Sequence, residues 1–161
     1  MEKTNASRIL ERNGVKFDLI EYPVDPENLD ARHVAAALGQ DIATVFKTLV
    51  LHGDKNGYFV CVIQGDKEVD LKKAAKISAN KKVAMIPMKD LLPLTGYIRG
   101  GCTAIGMKKN FPVFLDLNAL NHDKIHISAG KRGMQIKLSP DDYIKVTSAT
   151  VGDIINTSEN S

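Results

Sequence analysis

Thr48-Leu49-Val50-Leu51-His52, Gly53-Asp54-Lys55-Asn56-Gly57 and Tyr58-Phe59-Val60-Cys61-Val62-Ile63 follow one another without a break. Two apolar runs around a glycine-bounded polar turn read as an antiparallel hairpin. A second pair, Lys124–Ser128 and Met134–Leu138, brackets Gly130-Lys131-Arg132-Gly133 in the same way.

Outward from these hairpins the segments read as helices and single strands. Thr4 or Asn5 is placed to cap a helix from Ala6 to Asn13, which Gly14 stops. Asp30 caps a helix through Leu38, and Asp70 caps Leu71–Ser78, with alanines on one face and Lys72, Lys73 and Lys76 on the other. Asp25-Pro26-Glu27-Asn28 is turn chemistry, and Asp41 starts a short helical turn that leads to Lys47. Pro87 opens Met88–Leu94, and Ser139-Pro140-Asp141-Asp142 opens a helix by cap and proline. Phe17–Tyr22, Val83–Ile86 and Val113–Leu117 read as strands. Val151–Ile155 reads as a last short helix, with a frayed tail over Asn156–Ser161. Hairpins mixed with helices, without regular strand–helix–strand winding, predict an α+β fold with a mixed sheet. The 161 residues predict one domain, 1–161, large enough for a hydrophobic core.

Apolar residues make up 43% of the chain and charged ones 25%, an ordinary globular balance. A net charge of +3, from 22 basic and 19 acidic residues, excludes a strongly basic nonspecific nucleic-acid binder and leaves room for a local basic patch. Cys61 and Cys102 are far apart and form no CxxC, so neither a zinc ribbon nor a thioredoxin motif is present. The segment Met1-Glu2-Lys3-Thr4-Asn5 lacks the apolar core of a signal peptide, and no apolar run reaches transmembrane length. A soluble, cytoplasmic protein with no membrane partner is expected.

Two stretches carry candidate chemistry. Thr95-Gly96-Tyr97-Ile98-Arg99-Gly100-Gly101-Cys102-Thr103-Ala104-Ile105-Gly106 holds four glycines in twelve residues. Bare backbone N–H groups can hold an anion or a developing oxyanion, and the same glycines can equally serve a tight structural connection. No Lys-Ser/Thr follows, so this is not a phosphate-binding loop of the ATPase type. Val45-Phe46-Lys47-Thr48-Leu49-Val50 places one lysine in a mainly apolar run. Lys47 is either a site residue or a strand-end lysine whose stem reaches solvent.

Other constellations are weaker. His122 and His126 are four apart and on a helix could share a metal, but Ile125–Ser128 reads as a strand and a third ligand is lacking, so no metal is assigned. Cys102 as nucleophile lacks a nearby His base. Lys47, Lys108, Lys109, Lys131 and Arg132 could hold phosphates if they converge, and are otherwise scattered surface cations. Tyr22 and Tyr97 could stack on a base, orient an acyl group, or pack in the core.

Phe46-Lys47-Thr48-Leu49, Gly96-Tyr97 with Gly100-Gly101 and Gly106, and Ser128-Ala129-Gly130-Lys131-Arg132-Gly133 occur in an order and spacing that resemble the YbaK/EbsC family of aminoacyl-tRNA deacylases. These are relatives of the editing domain of bacterial prolyl-tRNA synthetase. The resemblance runs from about Thr4 to Ile155. It implies a curved, barrel-like mixed sheet surrounded by helices. It implies a trans-editing enzyme that removes cysteine from mischarged Cys-tRNA(Pro), without cofactor or metal, acting on the tRNA 3′ acceptor end in a transient complex with prolyl-tRNA synthetase. The alternatives are a deacylase for another small aminoacyl group, such as Ala-tRNA(Pro), and a non-catalytic tRNA- or synthetase-binding regulator.

By the resemblance, Lys47 anchors the 3′ end or the reacting group, and the backbone of Gly100, Gly101 and Cys102 lines the carbonyl. Tyr22 and Ser128 shape the aminoacyl pocket, with Thr48, Tyr97, Lys131, Arg132 and Gln135 as further substrate contacts. In the cysteine-specific branch the substrate thiol attacks its own ester, and the protein holds the reactive conformer and the oxyanion. Two departures stand out. Gln135 occupies a position that is acidic in that branch, and an amide hydrogen-bonds without carrying charge. The segment Asp25–Arg32 differs by about one residue in length and lacks an aromatic near Asp30.

Overall fold

The computed structural model describes residues 2–157 of the chain. Helix α1 (Asn5–Arg12) begins with a reciprocal cap: Thr4 Oγ1 accepts from the Ser7 N–H and Ser7 Oγ accepts from the Thr4 N–H. Helix α2 (Ala31–Leu38) is capped by Asp30 and ends at Gly39, whose φ of 68° is left-handed. A short 3₁₀ turn, Ile42–Thr44, capped by Asp41, then feeds the central hairpin. Helix α3 (Leu71–Ile77) takes Asp70 as its cap, α4 (Leu91–Thr95) follows a 3₁₀ turn at Met88–Asp90, and α5 (Pro140–Thr147) is capped by Ser139.

Among the described residues eight strands make two sheets: β1 (Asp18–Glu21), β2 (Phe46–Gly53), β3 (Gly57–Gln64), β4 (Val83–Met85), β5 (Val113–Asp116), β6 (Ile125–Ser128), β7 (Met134–Leu138) and β8 (Thr150–Gly152). The smaller sheet has the order β1-β7-β6 and is antiparallel throughout. The larger has the order β4-β2-β3-β5-β8, antiparallel from β4 to β3 and parallel from β3 to β8. Both expected hairpins are present, β2–β3 and β6–β7, and the fold is α+β with mixed pairing as the sequence predicts.

The expected barrel-like closure is not reached. The sheets remain open; among the described residues one parallel backbone bridge, Val45 to His126, links them at the entry to β2, and their side chains share the main core. No helix forms over Val151–Ile155: Val151 and Gly152 belong to β8, which completes the parallel edge beside β5, and Ile155 makes an isolated bridge to Val69. Paired backbone there outweighs the weak helix propensity of Val-Gly-Asp-Ile-Ile. Of the expected frayed tail, Asn156 is tied by its N–H to Glu68 O, and residues 158–161 lie outside the described residues.

Two apolar clusters follow from the pleat. Phe46 and Val50 of β2 enter the main one, with Leu10, Val62, Leu115, Ile127, Ile136 and Tyr143. Leu49 and Leu51, on the opposite face of β2, enter the second with Phe59, Cys61, Ile63 and Ala74. Among the described residues no helix is long and apolar enough to cross a membrane.

His126 sits at the junction of the sheets and is 2% exposed. Thr44 Oγ1 donates its proton to Asp41 O, so its 3.1 Å contact with His126 Nδ1 makes Nδ1 the protonated nitrogen and leaves Nε2 buried without a partner among the described residues. Burial and the nearby Lys137 charge push the His126 pKa below its ordinary value, against a hydrogen bond to the Thr44 backbone. The unfolded chain therefore binds this proton more readily than the folded one. The associated stability is complete above the ordinary pKa of about 6.5 and is lost as pH falls through the lower folded value. Denaturant titrations between pH 7.5 and 5 are expected to show stability falling with pH in the wild type and a flatter dependence in His126→Gln; parallel slopes in the two proteins would count against this assignment.

Candidate active site

A cleft of about 360 Å³ opens beside the start of β2, lined from both sheets. Its lining is drawn from distant parts of the chain. The start of β2 contributes Lys47 and Thr48, the glycine-rich loop contributes Arg99, Gly100 and Cys102, and the β6–β7 pair contributes Ser128 and Gln135. Leu29, Asp30, Val34, Met85, Met88 and Leu91 complete the lining.

Lys47 is opposite Ile63 in the β2–β3 register and shares a face of β2 with Leu49 and Leu51. Its stem therefore starts on an apolar surface. Burial lowers its pKa from the ordinary lysine value, while the carboxylates of Glu68, Asp66 and Asp30 pull in the opposite direction. Among the described residues no carboxylate lies within ion-pairing distance of it. A partly desolvated cation without a bound counterion is poised to take an anionic or carbonyl oxygen.

Ser128 and Gln135 are directly paired across β6 and β7, so they share one face of the sheet. Ser128 Oγ accepts from the Gly130 N–H at 3.1 Å, and its proton remains available to donate. Gln135 is 5% exposed, and its Oε1 has no partner among the described residues. A buried amide oxygen facing a cleft with its acceptor capacity unused is a ready contact for a donor on a ligand.

The glycine-rich loop divides into lining and support. Gly100 adopts φ 85°, in the left-handed region, and lines the cleft. The N–H groups of Gly100 and Cys102 have no acceptor among the described residues. Gly101 differs from its expected role at the carbonyl: its N–H donates to Ile98 O at 2.9 Å and it does not line the cleft. A Cβ there would meet Lys131 Cα at 3.0 Å and Arg132 N at 3.2 Å, so Gly101 is where the loop seats on the β6–β7 turn.

That turn and Tyr97 brace the loop from behind. Arg132 Nε donates to Arg99 O at 2.8 Å, and Lys131 Nζ pairs with Glu2 at 2.6 Å on the surface. Tyr97 Oη donates to Ile105 O at 2.6 Å while its ring packs beside Gly130. Tyr97, Lys131 and Arg132 thus lie outside the main cleft. Tyr22 lines an adjoining depression of about 180 Å³ that shares Leu29, Val34 and Gly100 with the cleft. Lys108 reaches back to Pro93 O at 3.4 Å and is not part of the lining, and neither is Lys109.

Burial pushes the Cys102 thiol up to about 12, against a contact with Thr95. A thiol held that high supplies negligible thiolate at neutral pH, so Cys102 is not set up as a nucleophile. His126 lies in β6 and His122 outside it, so they do not share a helix face as a metal pair would require.

Arg99, Leu29, Met85 and Met88 were not singled out by sequence as lining residues. Arg99 stood inside the glycine-rich stretch and could have been found there. Leu29 lies beside Asp30, where an aromatic was missing. Met85 and Met88 gave no local signal, because their approach to the cleft depends on β4 pairing with β2.

The family model for the aminoacyl-tRNA editing domain matches residues 25–146. The chain is 48% identical over 153 residues to an Enterococcus faecalis (strain ATCC 700802 / V583) protein provisionally named a Cys-tRNA(Pro)/Cys-tRNA(Cys) deacylase, EbsC, covering 95% of this chain and 93% of that one. Among solved structures, the hypothetical protein APE2540 superposes with a TM-score of 0.87 at 22% identity, over 95% of this chain and 100% of its own. A provisionally assigned trans-editing enzyme for prolyl-tRNA synthetase superposes with a TM-score of 0.83 at 24% identity, over 97% and 99%. At those identities the superpositions speak for the fold. The chain belongs to the aminoacyl-tRNA editing domain family.

The seat of Gly101 generates a direct test. Gly101→Ala forces a methyl group against backbone that cannot rotate away, so about 1–3 kcal/mol of stability should be lost by urea titration, with Gly14→Ala, a solvent-facing left-handed glycine in open space, losing less. Gly101, unlike Gly14, has no left-handed φ, so a loss at Gly101 no larger than at Gly14 would mean that the turn gives way to the methyl group and the seat is not tight.

Proposed function

We propose that the cleft receives the aminoacylated 3′ end of a tRNA and cleaves the ester between amino acid and terminal ribose, with cysteine as the residue removed. The observation that carries this reading is the convergence in one cleft of the unpaired, partly desolvated Lys47 with the free N–H groups of Gly100 and Cys102. Family membership supplies the substrate class, and the name of the Enterococcus relative supports cysteine.

An aminoacyl ester is already activated, so positioning and oxyanion stabilisation suffice. The lining offers no primed protein nucleophile: Cys102 stays a thiol, and Ser128 has no histidine beside it in the cleft. The substrate then provides its own. The cysteinyl sulfur loses its proton and bonds to the ester carbonyl carbon. Negative charge moves to the carbonyl oxygen, which Gly100 and Cys102 N–H groups receive. The bond to the ribose oxygen breaks, that oxygen takes up a proton, and tRNA leaves. The cyclic thioester left behind opens with water to free cysteine.

Lys47 holds the terminal ribose and phosphate, or the reacting oxygen, by charge. Gln135 accepts a hydrogen bond from the α-ammonium group, and Ser128 donates to the acyl end. Tyr22, in the adjoining depression, borders the path of the terminal nucleoside. Selectivity among tRNAs comes from prolyl-tRNA synthetase in a transient cytoplasmic complex. The chain's modest charge of +3 gives a domain of this size little means of reading a whole tRNA alone.

Release of labelled amino acid from Cys-tRNA(Pro), Ser-tRNA(Pro), Ala-tRNA(Pro) and Pro-tRNA(Pro) tests the reading. Cysteine should be released far faster than serine, which differs by one atom but lacks the thiol. Lys47→Ala should lower kcat/KM about 100-fold or more, the scale of removing one preorganised electrostatic interaction. Equal release of serine or alanine would contradict the thiol-assisted step. Activity untouched in Lys47→Ala would remove Lys47 from the site.

A further inference from the structure

Residues 71–89, Leu-Lys-Lys-Ala-Ala-Lys-Ile-Ser-Ala-Asn-Lys-Lys-Val-Ala-Met-Ile-Pro-Met-Lys, contain six lysines and no acidic residue. With a net charge of +3 for the whole chain, the remainder carries −3. The positive charge of this protein is therefore concentrated in one segment of α3, β4 and the turn beyond it. Lys72, Lys76, Lys81, Lys82 and Lys89 are exposed, while Lys73 is taken up by Asp153 and Ile155 O.

The fold gathers this segment into one face. Lys72 and Lys76 are four apart on α3 and project to the same side. Helix α3 packs against β4. The β2–β3 turn is fastened to the corner between them: Asn80 Oδ1 accepts from the Lys55 and Asn56 N–H groups, which brings Lys55 beside Lys81 and Lys82. Asp54 accepts from the Lys81 and Lys82 N–H groups and offsets one charge at this corner. None of Lys72, Lys76, Lys81, Lys82 and Lys89 has a carboxylate within ion-pairing distance among the described residues.

The face is continuous with the mouth of the cleft. Strand β4 is the outer strand of the larger sheet and runs from Val83 to Met85, and Met85 and Met88 line the cleft. Lys82 is three residues from Met85, roughly 10 Å along an extended strand. Met85, Met88 and Leu92 are about half exposed, at 44%, 58% and 50%, so an apolar rim separates the lysines from the opening. Lysines on an outer strand also discourage strand-to-strand aggregation. That role accounts for Lys81 and Lys82 but not for Lys72 and Lys76, which lie on a helix.

We propose that this lysine face is the track for the phosphate backbone of the tRNA acceptor arm, with bases of the single-stranded 3′ end passing over the Met85–Met88 rim into the cleft. The inference rests on the reading of the cleft given above. It assigns to α3 and β4 a binding role that is separate from the chemistry at Lys47. Lysine–phosphate pairs of this kind position a nucleic acid without reading its sequence and weaken steeply with salt.

The test compares Lys72→Glu/Lys76→Glu and Lys81→Glu/Lys82→Glu with wild type, and with the matching Lys→Gln pairs, which remove charge without reversing it. Each is assayed on Cys-tRNA(Pro), on the minimal substrate cysteinyl-CCA trinucleotide, and for binding of uncharged tRNA across a salt series. The proposal expects kcat/KM on the full tRNA to fall about tenfold or more in the Glu pairs and less in the Gln pairs. Cleavage of the trinucleotide, which ends before the face, should persist. The slope of log K against log salt should shrink by about 0.7–0.9 for each phosphate that the variant no longer neutralises. Unchanged tRNA binding and kcat/KM would overturn the proposal, as would equal loss on both substrates. Unchanged tRNA binding with lost binding to prolyl-tRNA synthetase would assign the face to a protein partner and overturn it too. If wild type cleaves neither substrate, the reading of the cleft fails, and the salt slopes of uncharged tRNA still decide the face by themselves.

Discussion

The entry to β2 serves two sheets at once, and the cleft exists because of it. Val45 bridges to His126 in the three-stranded sheet, and the residues that follow pair with β3 and then β4 in the five-stranded one. A single strand thus spans the gap between two open sheets. Val45 and Phe46 at this entry are buried, and the two residues that follow, Lys47 and Thr48, are half-buried and line the cleft. Lys47 occurs at that point, with its stem on the apolar face continued by Leu49 and Leu51. Burial without pairing is costly for a cation, and a structure tolerates it where a ligand supplies the missing partner.

The rest of the site is held in place by contacts that do not touch the cleft. Gly101 lets the glycine-rich loop rest on the β6–β7 turn, Arg132 fastens the carbonyl of Arg99, and Tyr97 ties the two ends of the loop together through Ile105 while its ring packs on Gly130 of the turn. The result is a loop that brings Gly100 and Cys102, whose N–H groups have no acceptor among the described residues, into the same lining as Ser128 and Gln135. Preorganised donors of this kind need no rearrangement when charge develops on a substrate oxygen. The motif residues therefore divide into a lining set, Lys47, Gly100, Cys102 and Ser128, and a bracing set, Gly101, Tyr97, Lys131 and Arg132.

Much of the architecture was legible because its signals are local. The turn residues at 53–57 and 130–133 announced both hairpins, and the caps Thr4, Asp30, Asp70 and Ser139 marked four helix starts that the structure contains. What was not legible depends on pairing across the chain. Thr150–Gly152 is a strand only because β5 offers a parallel edge, and the sheets stay open because, among the described residues, a single isolated bridge is the backbone pairing between them. The same limit governed the site. The motif residues could be named, but sequence could not separate Gly101, whose N–H is spent on Ile98, from Gly100, whose N–H is free. Nor could it bring Met85 and Met88 to the rim, since that follows from the register of β4 on β2.

The central claim is that Lys47, the Gly100 and Cys102 N–H groups, Ser128 and Gln135 hold one ligand together. The most direct measurement is a crystal structure of the protein with a non-hydrolysable cysteinyl-adenosine in which an amide replaces the ester. The account predicts the acyl carbonyl oxygen within hydrogen-bonding distance of the Gly100 and Cys102 N–H groups, the Lys47 ammonium on the ribose or carbonyl side, and the α-amino group beside Gln135. A ligand seated elsewhere, or bound in this cleft with its carbonyl turned away from Gly100 and Cys102, would contradict it.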